Sequence, residues 1–239
     1  LYTLVKNTVK EGIIMTTKMI ITLMCFCFTA LVVGCTYDYA IKKHNASVSA
    51  IFTRVASSSV LIETDSGMGS GTIVSVSNGR ILVLTCYHVI SDAKQIEVVS
   101  ASTSAIASVI SVNVKKDLAV LMVSQDLRAP ALKVAFFEPE LYEKLYTVAN
   151  PLSIIKVASE GILYSKKESR PGVDLWGVQS FLFPGSSGGT ITNAQGELVC
   201  VPQSIVATKQ FGLVAQLDFC VGLKDIRDIL RPFKLIVGR

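Results

Sequence analysis

One seven-residue stretch, Phe183-Pro184-Gly185-Ser186-Ser187-Gly188-Gly189, carries the strongest chemical signal in the chain. A serine set among glycines lets the backbone come close to a substrate carbonyl and adopt conformations that other residues resist. The same turn can aim two backbone N–H groups, those of Gly185 and Ser187, at one point, where they would stabilise an oxyanion. A hydroxyl nucleophile needs a base, and only two histidines are present, His44 in a polar stretch and His88. His88 follows the apolar run Ile81-Leu82-Val83-Leu84-Thr85, so a buried strand would present it at its end. A third group must accept from His88 Nδ1–H and stabilise the imidazolium. Asp117, just before Leu118-Ala119-Val120-Leu121, sits at a strand entrance where a carboxylate can turn inward. Asp92 is only four residues from His88 and suits a helix cap better, while Asp126, Asp174 and Asp218 lack such a setting. Singly, a Gly/Ser turn or a strand-end histidine is ordinary structure. Together, in the order His88, Asp117, Ser187, they match a known order for acyl-transfer triads.

The elements that must hold these groups read as short strands. Val60-Leu61-Ile62, Thr72 to Val76 and Ile81 to Thr85 are rich in β-branched residues, and Asn78-Gly79 between the last two is a hairpin turn signal. Further strand-like runs are 96–99, 107–112, 119–123, 145–148, 161–163, 190–192, 198–201 and 213–217, with a turn at Asn193-Ala194-Gln195-Gly196. Many short strands with turns between them predict an all-β sandwich or barrel. Helical periodicity is read in one place, from Leu223, where Leu223, Ile226 and Ile229-Leu230 share a face that ends before Pro232. The segment 129–143, holding Pro130 and Pro139, breaks the strand rhythm and reads as a connector between an N-terminal β unit at 50–128 and a C-terminal one at 144–222, followed by a helix and tail at 223–239.

Composition removes several classes. Of 239 residues 50% are hydrophobic and 17% charged, which excludes a disordered chain, and no heptad pattern supports a coiled coil. A net charge of +5 is mild, and the doublets Lys42-Lys43, Lys115-Lys116 and Lys166-Lys167 read as solvated surface rather than a nucleic-acid footprint. Neither GxxxxGK(S/T) nor GxGxxG occurs, and no CxxC spacing suggests zinc, so no cofactor or metal is expected. Part of the mean hydropathy of +0.51 is local. Met19 to Val33 is apolar throughout, too short for a membrane span of about 20 residues but suited to a signal-peptide core. Its end, Leu31-Val32-Val33-Gly34-Cys35, resembles the bacterial lipobox, in which the cysteine becomes a lipidated N-terminus. The expectation is that residues 1–14 precede the true start and are not translated, followed by a signal peptide at 15–34, lipidation of Cys35, a polar tether at 35–49 and anchorage in a bacterial envelope. Translation is expected to begin at Met15, because Glu11-Gly12 must be encoded by a purine-rich string resembling a ribosome-binding site. Outside that segment, Cys86, Cys200 and Cys220 form an odd set and are expected as free buried thiols, a Cys200–Cys220 bridge being the alternative.

These residues carry a wider resemblance. The chain resembles the trypsin-like serine peptidases, and most closely the HtrA/Deg protease domain. Gly69-Ser70-Gly71-Thr72-Ile73-Val74 is similar to that family's GSG strand, Leu84-Thr85-Cys86-Tyr87-His88-Val89-Ile90 to its TNxHV block, and Lys116-Asp117-Leu118-Ala119-Val120-Leu121 to its DLAVL. Tyr146 to Pro151 resembles AIGNP, and Pro184 to Gly189 with the following Asn193 and Gly196-Glu197-Leu198-Val199 resembles PGNSGG with its turn and strand. The match covers about residues 50 to 232. It implies two perpendicular six-stranded antiparallel barrels, with His88 and Asp117 from the first and Ser187 from the second, acting on protein or peptide substrates. Cys86 replaces the usual Asn, Ser186 takes the variable place, Thr190 stands where Pro is common, and Pro202 where Asn is usual. By the same matching Ser204, Ile205 and Val206 fall on the segment lining the primary pocket. Phe181 falls near the position of the acidic pocket residue of trypsin-like enzymes, so cleavage after small or medium apolar residues is expected. The competing expectation is a silent peptide-binding or envelope-interaction protein of the same fold.

Overall fold

The computed structural model describes residues 36–37, 39–101, 103–166, 172–210 and 213–234, with positions 22, 24 and 29; at 204–210 and 213–217 it describes the backbone alone. The chain divides into two compact units, 1–49 and 50–239. The described positions of the first unit are helical. Among the described residues no helix is long and apolar enough to cross a membrane. Met15, Cys35 and the apolar signal segment apart from positions 22, 24 and 29 lie outside the described residues.

Helix α1 runs over residues 39–58, where the sequence reads as a polar tether leading into strands. Its stripe Val48, Ile51, Phe52, Val55 has helical spacing, and this seats its second half: Val55 is fully buried and the Phe52 ring meets Tyr146 edge-on at 5.6 Å. Arg54 Nη1 adds a bond to Gln195 O at 2.8 Å.

Twelve strands follow: β1 (Ser59–Thr64), β2 (Met68–Ser77), β3 (Arg80–Cys86), β4 (Ile96–Val99), β5 (Ser104–Asn113), β6 (Leu118–Val123), β7 (Lys144–Ala149), β8 (Val157–Lys166), β9 (Leu175–Gln179), β10 (Thr190–Thr192), β11 (Leu198–Gln210) and β12 (Leu213–Val221). They close into two six-stranded antiparallel barrels, β1-β2-β3-β6-β5-β4 and β7-β8-β9-β12-β11-β10, so the second repeats the winding of the first. The four-residue helix α2 (Tyr87–Ile90) follows β3, and α3 (Leu223–Leu230) follows β12. The Asn78-Gly79 hairpin forms as predicted, with φ of 50° and 71° as a two-residue turn of left-handed residues requires.

Each barrel has its own core. The first is aliphatic, built on Ile62, Ile73, Val83, Leu84, Leu118 and Leu121, and it runs on into Val201, Val221 and the α3 face Ile226, Ile229 and Leu230. The second gathers Leu145, Leu163, Trp176, Leu182, Ile191 and Leu223. At about 1.5–3 kcal/mol for each fully buried aliphatic side chain, these two clusters supply most of the drive to fold. In the second barrel Cys200 and Cys220 are disulfide-bonded with Cα atoms 5.7 Å apart, which corrects the expectation of three free thiols; Cys86 stays free and buried. Val201 faces Val221, so Cys200 and Cys220 lie diagonally across the strand pair on one face, within reach of a bridge.

Helix α3 is tied to the strand entrance that carries Asp117. Asp225 is 1% exposed, pairs with Lys116 Nζ, and accepts from Asp174 N at 2.8 Å, while Asp228 meets the same Lys116 at 3.2 Å. Burial alone would lower the Lys116 pKa; hydrogen bonds and charge attraction from the two carboxylates raise it above its ordinary value.

Candidate active site

Strand register brings His88 and Asp117 together. β3 and β6 are antiparallel neighbours with Cys86 opposite Leu118, so the residues just past one end meet those just before the other. Tyr87 N donates to Asp117 O at 3.1 Å. Asp117 adopts φ of 53°, a left-handed conformation that aspartate tolerates better than most residues, and its carboxylate grips His88 twice. Oδ1 accepts the His88 backbone N–H at 2.8 Å and Oδ2 meets ring Nδ1 at 2.6 Å. Burial pushes the Asp117 pKa up, but the His88 ring and backbone hydrogen bonds, the His88 charge and a Gln203 side-chain hydrogen bond outweigh it and hold the carboxyl below its ordinary value. An ionised carboxylate only accepts, so Nδ1 carries the proton, and the tautomer this selects leaves Nε2 bare. The ring is open to the cleft, 47% exposed against 15% for the Asp117 side chain.

Ser187 comes from the other barrel, on the loop between β9 and β10. Two glycines shape this loop. Gly185 has φ of +95°, and a Cβ there would lie 2.9 Å from Asn150 O; Gly188 has φ of +83°, and a Cβ would lie 2.2 Å from Ser70 O. Backbone accounting singles out two donors. The carbonyls of 184 to 187 accept, in order, from Leu152 N at 2.9 Å, Ser70 Oγ at 2.7 Å, Gly189 N at 3.0 Å and Ser70 N at 2.8 Å. The N–H groups of 186 and 188 donate to Phe183 O and Pro202 O, each at 2.8 Å. Among the described residues the N–H groups of Gly185 and Ser187, the pair read from the sequence, are left without a protein acceptor. Ser187 Oγ donates to Gln203 O at 3.2 Å rather than to the His88 ring.

A cavity of about 230 Å³ opens beside Ser187, lined by Leu182, Phe183, Pro184, Pro202 and Gln203. Larger hollows on the β8 and β9 side do not include Ser187. Phe181 is exposed and stacks edge-on with Phe183 at 4.6 Å. Ser204, Ile205 and Val206 lie on β11 opposite Phe219, Asp218 and Leu217; their side chains are outside the described residues. Pro202, which has no N–H, sits where β11 and β12 shift register by a bulge, and its carbonyl takes the Gly188 N–H and the Cys86 thiol at 3.1 Å. Donor atoms of Cys86, His88 and Asp117 lie within 4.8 Å of one another. They do not form an open metal cradle: burial and then the Asp117 charge drive the Cys86 pKa well up, keeping a protonated thiol, and Asp117 is spent on His88.

With the geometry in place, comparison with known proteins is decisive for the family. The model of the trypsin-like peptidase domain matches residues 69–201, more than half of the chain. The chain belongs to the trypsin-like peptidase family. This peptidase-family chain is 29% identical over 189 residues to the Serine protease Do-like HtrA of Lactococcus lactis subsp. cremoris, a match over 71% of this chain and 45% of that protein. It is 25% identical over 206 residues to the Serine endoprotease DegS of Haemophilus influenzae, 82% of this chain and 59% of that one. The chain thus spans about half the length of the relatives it matches. In solved structures its fold is similar to the serine endoprotease from Yersinia pestis, TM-score 0.65 at 22% identity over 79% of this chain and 66% of that one. Rv3671c from M. tuberculosis gives TM-score 0.63 at 18% identity over 79% and 93%.

Sequence reasoning gave no role to Gln203, whose carbonyl holds Ser187 and whose side chain reaches Asp117, nor to the hydrogen-bonding of Ser70, Asn150 and Leu152. The GSG and Asn-Pro motifs marked the neighbourhood of the last three; nothing in the sequence marked Gln203.

Proposed function

We propose that this chain is a serine endopeptidase that hydrolyses peptide bonds in protein or peptide substrates through an acyl-enzyme. The reading is carried by the Gly185 and Ser187 N–H groups left over on a loop whose 184–187 carbonyls and 186 and 188 N–H groups are spent, beside a histidine held by Asp117 at 2.6 Å. Ser187 Oγ turns from Gln203 O to His88 Nε2, a tightening expected when substrate fills the cleft. Oγ attacks the scissile carbonyl as Nε2 takes its proton, and the carbonyl oxygen becomes an oxyanion on Gly185 and Ser187 N–H. Asp117 fixes the tautomer and stabilises the imidazolium. The imidazolium then protonates the leaving amine, and water, deprotonated by His88, releases the acid product and Ser187.

The modest volume of the cavity beside Ser187, and Leu182, Phe183 and Pro202 along its wall, support cleavage after small or medium apolar residues, with Ser204, Ile205 and Val206 assigned to the same pocket. An extracytoplasmic location is supported by relatives whose names call them periplasmic and by the Cys200–Cys220 bridge, which favours an oxidising compartment. The lipobox-like run ending at Cys35 supports a lipid anchor in the envelope. Digestion of casein and a peptide library by the full chain, beside Ser187→Ala, tests the reading. Ser187-dependent cleavage after Ala, Val or Leu is expected; dominant cleavage after Lys or Arg would overturn the pocket assignment.

A further inference from the structure

The two residues that offer the free N–H groups share a neighbour. Ser70, on β2 of the first barrel and fully buried, gives its backbone N–H to Ser187 O at 2.8 Å and its hydroxyl to Gly185 O at 2.7 Å. Its Oγ accepts from Asn150 N at 2.8 Å and lies 3.3 Å from Asn150 Nδ2, and its own carbonyl accepts from Thr85 Oγ1 at 2.7 Å. Asn150, also fully buried, is anchored in turn by Nδ2 on Val60 O at 2.8 Å and by Oδ1, which accepts Lys156 N at 2.9 Å. A trans peptide points its C=O and N–H in opposite directions. Leu152 N–H holds the Pro184 carbonyl, so the N–H of the same peptide, that of Gly185, is aimed the other way. Ser70 Oγ holds the next carbonyl, that of Gly185, and so fixes the rotation of the glycine between the two peptides. Gly185 has no side chain to resist that rotation and sits at φ of +95°, so the restraint must come from its partners.

We propose that Ser70 is a positioning residue for the oxyanion site: one side chain of the first barrel holds the Gly185 carbonyl of the second and, through the rotation this fixes at the glycine, keeps the Gly185 N–H toward the reacting carbonyl, and Asn150 locks Ser70. The inference rests on the peptidase reading above. Removing the hydroxyl frees the Gly185 carbonyl, loosens the rotation at the glycine, and lets the Pro184–Gly185 peptide tilt so that its N–H no longer points at the oxyanion. The charge develops only in the transition state, so the loss falls on turnover and not on ground-state binding.

The test compares Ser70→Ala, Ser70→Thr and Ser70→Cys in the full chain. Ser70→Ala should lower kcat by about 10²-fold, the order of losing one oxyanion donor, with KM changed by less than about twofold. Affinity for a peptide boronic acid, whose adduct carries the tetrahedral oxygen, should fall in step with kcat/KM. Binding of an uncleaved peptide in a Ser187→Ala background should not. Ser70→Thr, which keeps the hydroxyl, should restore most of the rate, and Ser70→Cys, a weaker donor, should fall between. If Ser70→Ala does not fold, the order wild type, Thr, Cys carries the same test. Unchanged kcat and boronate affinity in Ser70→Ala, or equal losses in peptide binding and turnover, would overturn the inference alone. A wild type with no turnover and no boronate binding would overturn it together with the peptidase reading.

Discussion

The two barrels share one winding and hold the residues of the proposed chemistry by opposite means. The first places His88 and Asp117 at the ends of paired strands, β3 and β6, so the sheet ladder itself sets their distance. The second places Ser187 on a loop with two left-handed glycines, and that loop is held largely from outside, by Ser70 of the first barrel and by Leu152 and Pro202. A buried Thr72–Thr190 hydroxyl contact of 2.6 Å joins the barrels close by. The proposed base and the carboxylate that orients it need one fixed geometry, which a ladder supplies. The proposed nucleophile loop must also leave two N–H groups unspent, which the ladder of a closed barrel does not allow.

The largest effect on the first barrel should come from Asp117→Asn. Asparagine offers the ring a donor as well as an acceptor, so the wrong tautomer is favoured, and kcat should fall by about 10⁴-fold, as in the well-studied serine peptidase triads. The same variant tests the electrostatics. A carboxyl whose folded pKa is depressed contributes its stability in full above the unfolded value, and loses it as pH falls through the folded value. The gap in Tm between wild type and Asp117→Asn should therefore narrow as pH falls below about 4. A gap that widens in acid would contradict the direction of the shift.

Next in size is the brace behind Asp117. Lys116→Ala leaves the buried Asp225 without its cation and should cost about 3–5 kcal/mol in denaturant unfolding, the range for breaking one side of a buried pair. Losing activity with little stability would mean that the pair acts on Asp117 alone and not on the seat of α3.

The second barrel carries a staple that the first lacks. Cys200→Ser with Cys220→Ser should destabilise the protein by about 3 kcal/mol on the loop-entropy estimate for a separation of 20 residues, and reductant should do the same to wild type. A protein indifferent to reductant would show that the second barrel, like the first, stands on packing alone.

How legible each barrel was in the sequence follows the same division. The β-branched strands of the first were all read as strands, β4 at both ends, while β2 and β5 begin four and three residues before the runs that marked them. In the second, β9 was passed over because Leu175-Trp176-Gly177-Val178-Gln179 looks broken by its glycine; Gly177 is there because the Tyr164 ring fills the space a Cβ would take, 2.4 Å away. β11 was stopped near Pro202, which a bulge accommodates, and the disulfide followed from β11–β12 register, which no single segment displays. Helix α1 was missed because polar residues between Val48 and Val55 hide a helical stripe. The residue types for the proposed chemistry were legible because strand ends and the Gly-Ser loop have local signatures. Gln203, Ser70 and Asn150 act across barrels, so their roles emerge only once the strands are paired.

The central claim is that Ser187 is a nucleophile activated by His88. Exposing the folded full chain to a fluorophosphonate probe and locating the adduct by mass spectrometry tests it most directly. A single adduct on the peptide containing Ser187, lost in both Ser187→Ala and His88→Ala, is the predicted result. A folded wild-type chain that takes up no probe, or takes it up at another residue, would contradict it.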